Sequence, residues 1–346
     1  MQICQMIMEA QMDSEILSSL LKEYDQKRIR AELDLEKRKE LLFKSIPELQ
    51  EIENKINSYS INTAKNILNN IKPDDYDSKI ESLKTEKKGI LEKNNISENY
   101  LKPHYECKIC KDTGYFLNNN YRTIMCNCLK QRILNISYNK SNISNLKKEN
   151  FLTFNENKFS DEVDVAKYKV NISPRKNIIN IKQKSLSFVE NFDDPNSKNL
   201  LFTGNTGLGK TFMSNCIASE LLQKGKSVLY QTAPVLLETI INNKINKSKQ
   251  QNPDSFYQNV LEADLLIIDD LGTESLNSMK LSELFTILNT RLLNLNSKVT
   301  KTIISTNLSI DNIFRIYEER IGSRIAGYYD IYYFFGEDLR FKRAIK

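Results

Sequence analysis

The sequence has few of the residues that several kinds of chemistry need. Its 346 residues contain no tryptophan and one histidine, His104. Histidine is the usual general base near neutral pH, so a mechanism based on a histidine is not expected elsewhere in the chain. No apolar run reaches about 18 residues, and no transmembrane helix is expected. Residues 1–12 lack the basic start and long apolar core of a signal peptide, which predicts a cytoplasmic protein.

Charge is plentiful and nearly balanced. Charged residues make up 27% of the chain, and the net charge is +6. A modestly basic chain is compatible with nucleic-acid binding, although a compositional bias of the whole organism explains the excess of lysine equally well. At this length the chain exceeds one typical domain, so two or more units are expected.

The first hundred residues have the pattern of amphipathic helices. Apolar residues recur at spacings of three and four between residues 16 and 24, whereas residues 1–11 look like an irregular extension. Pro47 is expected to begin a second helix that ends near residue 58, and 60–71 predicts another short helix. We assign 1–100 as a helical arm, either a solvated coiled coil or a docking arm for a partner protein.

Four of the six cysteines fall within 22 residues. They form a C-x2-C pair and a C-x-C pair with a predicted β-hairpin between them: Cys107, Cys110, Cys126 and Cys128. Four thiolates from two such pairs can bind one Zn²⁺ tetrahedrally, and disulfides are rare in cytosolic proteins. His104 as a replacement ligand, a redox dithiol and an unmetallated pair are the alternatives. A closed Cys4 site leaves no open position on the metal, so 101–131 is assigned as a structural zinc module.

A phosphate-binding motif lies in the second half of the chain. The stretch GNTGLGKT fits G-x-x-x-x-G-K-[ST] between an apolar strand pattern and a helical pattern. It comprises Gly204, Asn205, Thr206, Gly207, Leu208, Gly209, Lys210 and Thr211. Glycines let the backbone N–H groups turn inward, and the following helix N-terminus adds partial positive charge. Lys210 should reach the β- and γ-phosphates of ATP, and Thr211 should bind Mg²⁺.

Two later strand patterns end in polar residues. The stretch LLIIDD is a buried strand ending in Asp269 and Asp270, at the edge where parallel sheets bind ligands. We expect Asp269 to hold Mg²⁺ and Asp270 to orient or deprotonate the attacking water of an ATPase. The stretch KTIISTN is a further strand, and Asn307 at its end would help to position that water.

The remaining pattern completes an α/β core. From residue 198 strands and helices alternate, which predicts a parallel sheet with helices on both faces. We assign 166–346 as the ATPase domain and 132–165 as a linker, whose phenylalanines 151, 154 and 159 pack on the core or flank a nucleotide base.

Arg320 and Arg324 share a helical face, and either is a candidate arginine finger for a neighbouring subunit.

Together these motifs resemble one family. GNTGLGKT, LLIIDDLGTE, TIISTN and ERIGSRI, preceded by C-x2-C-x-DTGY, resemble the AAA+ helicase loaders of the bacterial DnaC/DnaI family, with the IstB-like transposition ATPases as relatives. The resemblance covers residues 105–346. It implies an AAA+ P-loop core with little or no helical lid, a final strand near Tyr332, and ATP, Mg²⁺ and Zn²⁺ as cofactors. It also implies Asp270 as the catalytic acid, Asn307 as sensor 1 and Arg324 as the finger.

The resemblance further implies partners. Family members carry a helical element after the second strand that lines a channel for single-stranded DNA. Lys244, Lys247 and Lys249 lie where that element should be, and a solvated helix end is the alternative reading of these lysines. The expected function is ATP-dependent loading of the replicative hexameric helicase, bound by the N-terminal region, with ATP controlling self-assembly through the ATPase domain.

The sequence is also compatible with two other functions, and two residues of the site carry further expectations. An IstB-like ATPase would coat target DNA and recruit a transposase, and an adaptor would carry a vestigial ATPase. Asp270 stands where many AAA+ proteins carry Glu, which predicts slow hydrolysis. Arg340 could approach the phosphates from the last segment of the chain.

Overall fold

The chain folds into two compact units, Met1–Cys126 and Asn127–Lys346. The computed structural model describes residues 2–68, 76–118, 121–137, 148–246, 255–293 and 299–340. Among these residues, no helix combines the length and the apolar character that crossing a bilayer requires.

The described residues of the first unit form three helices. They are α1 (Gln2–Ser45), α2 (Pro47–Leu68) and α3 (Tyr76–Lys93), followed by a 3-10 turn at Glu98–Leu101. Pro47 begins α2 as predicted, because proline lacks an N–H and disfavours helical geometry in the residue before it. The separate short helix predicted over 60–71 is wrong. Its residues as far as Leu68 extend α2, in which no glycine or later proline interrupts the helix.

A small apolar core and one hairpin complete this unit. Leu42, Leu49 and Leu91 are buried together, one from each helix. Lys87 Nζ lies 2.7 Å from Glu53 Oε2 and pairs α3 with α2. The hairpin predicted between the cysteines is present as antiparallel β1 (Tyr115–Leu117) and β2 (Thr123–Met125).

The second unit is built on a five-stranded sheet. Its strands are β3 (Asn199–Gly204), β4 (Val228–Thr232), β5 (Leu265–Leu271), β6 (Lys301–Thr306) and β7 (Tyr329–Phe334). They are all parallel, in the order β4-β5-β6-β3-β7. The predicted α/β class is confirmed. The last strand starts at Tyr329, earlier than the sequence indicated, because it follows the preceding helix without a loop.

Helices cover both faces of the sheet. In chain order they are α4 (Asn127–Ser137), α5 (Val165–Tyr168), α6 (Pro174–Glu190), α7 (Lys210–Gln223), α8 (Ala233–Asn246), α9 (Ser255–Glu262), α10 (Ser278–Leu293), α11 (Ile310–Ile316) and α12 (Glu318–Tyr328). Alternate strand residues enter two hydrophobic clusters. Leu201 packs with residues of α8, α10 and α12, whereas its neighbour Leu200 packs with residues of α6 and α7.

A buried arginine anchors the amino ends of two central strands. The guanidinium of Arg291, on α10, donates to the carbonyl oxygens of Val260 at 2.8 Å, Ala263 at 2.9 Å and Lys301 at 2.7 Å. It also donates to Thr302 Oγ1 at 3.0 Å. Burial lowers the pKa of Arg291 to about 10. The amino ends of β5 and β6 are thereby fixed, and the candidate site lies at the opposite, carboxyl edge.

Candidate nucleotide-binding site

The glycine-rich loop connects β3 to α7 as predicted. Gly204 has φ +137°, and a Cβ there would overlap the carbonyl group of Phe334. Gly207 has φ +75°, and a Cβ there would overlap the carboxylate of Asp338. Both positions therefore require glycine. Gly209, before α7, provides no side-chain cap, so the first N–H groups of that helix remain available to an anion.

Lys210 is buried at the centre of this loop. Its Nζ donates to the carbonyl oxygens of Gly204 at 2.6 Å and Asn205 at 2.7 Å, and to Asn307 Oδ1 at 2.7 Å. Burial lowers the pKa of Lys210 to about 8, although the carboxylates of Asp269 and Asp270 favour its charged form. The structure thus brings together the P-loop lysine and the asparagine that the sequence placed at a different strand end.

Asp269 accepts hydrogen bonds from three elements. Thr211 Oγ1 donates to Asp269 Oδ2 at 3.1 Å, and the hydroxyl of Tyr230, on β4, donates to the same oxygen. Ser305 Oγ, on β6, donates to Asp269 Oδ1. The carboxylate is 4% exposed. These bonds fix its orientation beside Thr211, and one hydroxyl and one carboxylate form the oxygen pair that suits Mg²⁺.

A β-bulge determines where Asp270 lies. Ile268 pairs with Ile304 and Leu271 pairs with Thr306, so the two aspartates of β5 stand opposite one residue of β6. Asp270 takes the left-handed conformation, with φ +55°. Its N–H lies 3.2 Å from Ser305 Oγ. Burial and the neighbouring Asp269 raise the pKa of Asp270, which makes it a better proton acceptor than an exposed aspartate.

These residues line one cavity of about 420 Å³. This volume lies in the range typical of small-molecule sites. Two groups of residues line the cavity. The first comes from the P-loop, the strand ends and the last segment of the chain: Thr206, Gly207, Leu208, Gly209, Lys210, Thr211, Phe212, Asp270, Asn307, Leu339 and Arg340. The second comes from the segment before α5: Glu149, Thr153, Phe154, Asn155, Lys158 and Phe159. The segment 149–159, placed in the predicted linker, therefore forms one side of the nucleotide cavity.

Two aromatic rings line the cavity, one from each group of residues. Phe154 and Phe212 have their ring centroids 6.0 Å apart, and Lys182 Nζ lies 5.0 Å from the Phe154 centroid. The three phenylalanines expected to pack on the core or flank a base, 151, 154 and 159, all pack in the hydrophobic cluster beside α6, and Phe154 and Phe159 also line the cavity. Aromatic side chains in a cavity of this size can contact a nucleotide base.

Arg320 and Arg324 lie away from this cavity. Both guanidiniums stack against Phe285, at 4.8 Å and 4.4 Å from its ring centroid. Arg324 Nε donates to Asn289 Oδ1 at 2.8 Å, and Arg320 Nε pairs with Glu318 at 2.9 Å. Neither arginine lines the cavity of its own chain. Their role as an arginine finger stays a prediction.

The lysines expected to bind DNA are only partly described. Lys244 Nζ, on α8, lies 2.6 Å from Glu283 Oε1 and 4.9 Å from the ring centroid of Tyr257. Its charge is therefore compensated by a carboxylate. Lys247 and Lys249 lie outside the described residues.

The four cysteines predicted to bind zinc form one cluster. The sulfur atoms of Cys107, Cys110, Cys126 and Cys128 all lie within 4.8 Å of one another. Cys107 and Cys126 Sγ are 3.8 Å apart. A tetrahedral zinc ion with Zn–S bonds of about 2.3 Å requires sulfurs roughly 3.8 Å apart, so the cluster fits that ion. His104 is not a member of the cluster.

A buried carboxylate organises the first cysteine pair. Asp112 accepts the N–H of Glu106 at 2.9 Å and the N–H of Cys107 at 2.8 Å. It is 2% exposed. Because Asp112 holds the backbone of the knuckle, it positions the thiol of Cys107 without contacting the metal site itself.

Sequence reasoning missed several residues of the site, among them Ser305, Tyr230 and Glu149. Ser305 could have been noticed, because it is a polar residue in a buried strand pattern two positions before Asn307. Tyr230 gave no such signal, since a tyrosine in β4 is ordinary for a strand. Glu149 lies in the polar stretch before the core, where no periodicity indicates which side chain turns toward the loop.

Comparison with known proteins bears on the second unit. The model of the family described as IstB-like ATP binding protein matches residues 139–320, more than half of the 346 residues. The replicative helicase loader DnaC of Escherichia coli (strain K12) is 26% identical over 147 residues, which cover 42% of this chain and 57% of that protein. The chain thus spans little more than half the length of this relative.

Two solved structures are similar to this chain at low identity. The crystal structure of the DnaC helicase loader is 20% identical, covers 55% of this chain and 98% of that chain, and has a TM-score of 0.43. The crystal structure of DnaI is 18% identical, covers 57% of this chain and 100% of that chain, and has a TM-score of 0.37.

Proposed function

The chain belongs to the family of IstB-like ATP-binding proteins, and from this premise we propose that it is an ATPase that loads the replicative DNA helicase onto single-stranded DNA. The observation that carries the proposal is the cavity in which Lys210, Asp270 and Asn307 meet. The cysteine cluster supports a loader over other members of the family, because the sequence resemblance ties that segment to loaders.

The P-loop residues would bind the triphosphate. Lys210 would exchange its bonds to Gly204, Asn205 and Asn307 for phosphate oxygens, and it needs no large movement to do so. Thr211 and Asp269 present the oxygens that would hold Mg²⁺, which neutralises phosphate charge when bound. Tyr230 and Ser305 would keep the Asp269 carboxylate aimed at that position.

Hydrolysis would depend on Asp270 and Asn307. The raised pKa of Asp270 suits a group that accepts a proton from the attacking water. Asn307 would be released from Lys210 on nucleotide binding, and its amide would then be free to orient that water. Arg340 lines the same cavity and would supply a further cation to the phosphates. Arg324 would act on the site of a neighbouring subunit, so that self-assembly completes each site.

The remaining parts of the chain would make the partner contacts. In this proposal the helical arm and the zinc cluster bind the hexameric helicase, and nucleotide binding switches self-assembly and release. Lys244, with Lys247 and Lys249, would follow a DNA backbone only if Lys244 leaves Glu283.

Capture of the cognate replicative helicase tests the proposal. The full chain should retain the helicase on an affinity column, and ATP should change the amount retained. Lys210→Ala should abolish ATP binding and the effect of ATP, whereas Lys198→Ala, which removes an exposed lysine before β3, should preserve both.

A failure to retain the helicase would contradict the loader function. The family match favours one second candidate, a transposition ATPase that coats target DNA and recruits a transposase. That function predicts ATP-dependent filaments on double-stranded DNA and no capture of the helicase.

A further inference from the structure

A buried carboxylate follows Asp270 in the chain. Glu274 is 9% exposed, although it lies in the loop that connects β5 to α10. Its neighbours Thr273 and Ser275 are both exposed. Burying a carboxylate is costly unless its oxygens accept hydrogen bonds, so the position of Glu274 depends on the donors that it meets.

Each oxygen of this carboxylate accepts a hydrogen bond. The N–H of Gly272 donates to Glu274 Oε2 at 2.9 Å, and the hydroxyl of Tyr317 donates to Glu274 Oε1. Tyr317 is fully buried at the junction between α11 and α12. Burial and the bond to Glu274 raise the pKa of Tyr317, so its hydroxyl stays protonated and remains a donor. Glu274 thus connects the turn after β5 to the junction of two helices.

The turn that Glu274 holds fixes the backbone at Asp270. The carbonyl oxygen of Asp270 accepts the N–H of Thr273 at 3.3 Å and the hydroxyl of the same residue at 2.8 Å. Gly272, inside this turn, has φ +105°. Asp270 is itself left-handed, a conformation that persists only where the surrounding structure fixes it. Ser305 holds the N–H side of Asp270, and the turn bonded to Glu274 holds the carbonyl side.

We propose that Glu274 is a positioning residue for hydrolysis, which keeps Asp270 where it can accept a proton from the attacking water. The proposal rests on the function proposed above, in which Asp270 has that role. Neither Glu274 nor Tyr317 lines the nucleotide cavity, so both act through the turn and not on the nucleotide. Tyr317 acts one step further away, because it holds Glu274. Loss of either residue should slow hydrolysis and spare ATP binding.

Hydrolysis at saturating ATP and magnesium, together with ATP titration of the full chain, separates these two effects. Glu274→Ala removes both acceptors and should lower kcat about 10–100-fold, since a displacement of about 1 Å near the reacting atoms can cost that much. The dissociation constant for ATP should change by less than about twofold, because the lost interaction acts on the reaction and not on binding. Glu274→Gln should recover most of the rate, since its amide offers an acceptor to Gly272 and a donor to the Tyr317 oxygen.

A double variant shows whether the two residues act through one contact. Tyr317→Phe keeps the ring in the core and should lower kcat by a smaller factor than Glu274→Ala. In a chain that already carries Glu274→Ala, Tyr317→Phe should have no further effect on kcat. The matched controls are Glu190→Gln and Tyr328→Phe, at the exposed ends of α6 and α12, and both should retain the wild-type kcat.

An unchanged kcat in Glu274→Ala would overturn the proposal. Equal losses of kcat and ATP affinity in Glu274→Ala and Tyr317→Phe would also overturn it, because they would show a general structural role. If Glu274→Ala did not fold, Tyr317→Phe would decide alone, and an unchanged kcat there would count against the proposal. A wild-type chain that binds ATP without hydrolysing it would refute the proposed ATPase itself, whereas wild-type rates in these variants would refute only the positioning role.

Discussion

The buried lysine of the P-loop makes the stability of the nucleotide-free protein depend on pH in a defined direction. Burial lowers the pKa of Lys210 from 10.5 to about 8. Below about pH 8 the lysine is charged in both the folded and the unfolded chain, and the folded state bears the full cost of the buried charge. Between the two pKa values the unfolded chain still binds the proton and the folded chain does not. The free energy of unfolding should therefore rise by about 1.4 kcal/mol per pH unit in this window.

The total effect follows from the same shift. A fall in pKa from 10.5 to about 8 corresponds to roughly 3 kcal/mol, which Lys210 should contribute between about pH 8 and its unfolded pKa. The assay is urea unfolding of the nucleotide-free wild type and of Lys210→Met at about pH 7 and about pH 10. Because every other titrating group is shared, its contribution cancels when the two proteins are subtracted.

The control is a lysine that folding leaves in water. Lys198 is exposed just before β3, so the difference between wild type and Lys198→Met should be independent of pH. The difference for Lys210→Met should grow in favour of the wild type as pH rises. A Lys210→Met difference that is equally flat would refute the reasoning, since it would mean that the lysine charge is as well solvated in the loop as in the unfolded chain.

Two further predictions concern residues outside the nucleotide cavity. Arg291→Leu leaves at least four buried oxygens without their donor and should lower the free energy of unfolding by about 3–5 kcal/mol in urea titrations. Arg291→Lys should recover little, because one ammonium cannot reach both the acceptors at the end of α9 and those on β6. Asp112→Ala releases two N–H groups of the cysteine knuckle and should weaken zinc binding by about 10–100-fold in competition with a chelator. An unchanged chelator midpoint would remove Asp112 from this positioning role.

The central part of the fold follows closely from the sequence, for physical reasons. Strands buried on both faces are apolar throughout, so LLIIDD and KTIISTN stand out from the charged remainder. Polar residues at the ends of such strands must share one edge of a parallel sheet, which explains why Asn307 lies beside Lys210. The extent of α2 was missed because the pattern weakens after residue 58 without any residue that stops a helix.

Other features of the site could not be predicted from the local sequence pattern. The bulge in β5 depends on how two strands pair, and a single strand sequence does not contain that information. Tyr230 and Glu149 reach the site through tertiary packing, Tyr230 from the edge strand and Glu149 from a chain segment with no regular structure of its own. The roles of Arg324 and Lys244 stay predictions because they concern other molecules, and within this chain both side chains already have partners.

The bulge at the end of β5 also limits which acid can follow Asp269. Residue 270 adopts a left-handed backbone, which Asp and Asn tolerate better than most residues with longer side chains. A Glu at this position would reach further toward the phosphates, but it would strain the backbone that Ser305 holds in place. The length of the acid at position 270 and the pairing register of β5 therefore depend on each other. Asp270→Glu in the presence of the bulge would therefore lengthen the acid but destabilise the end of β5 that carries the site.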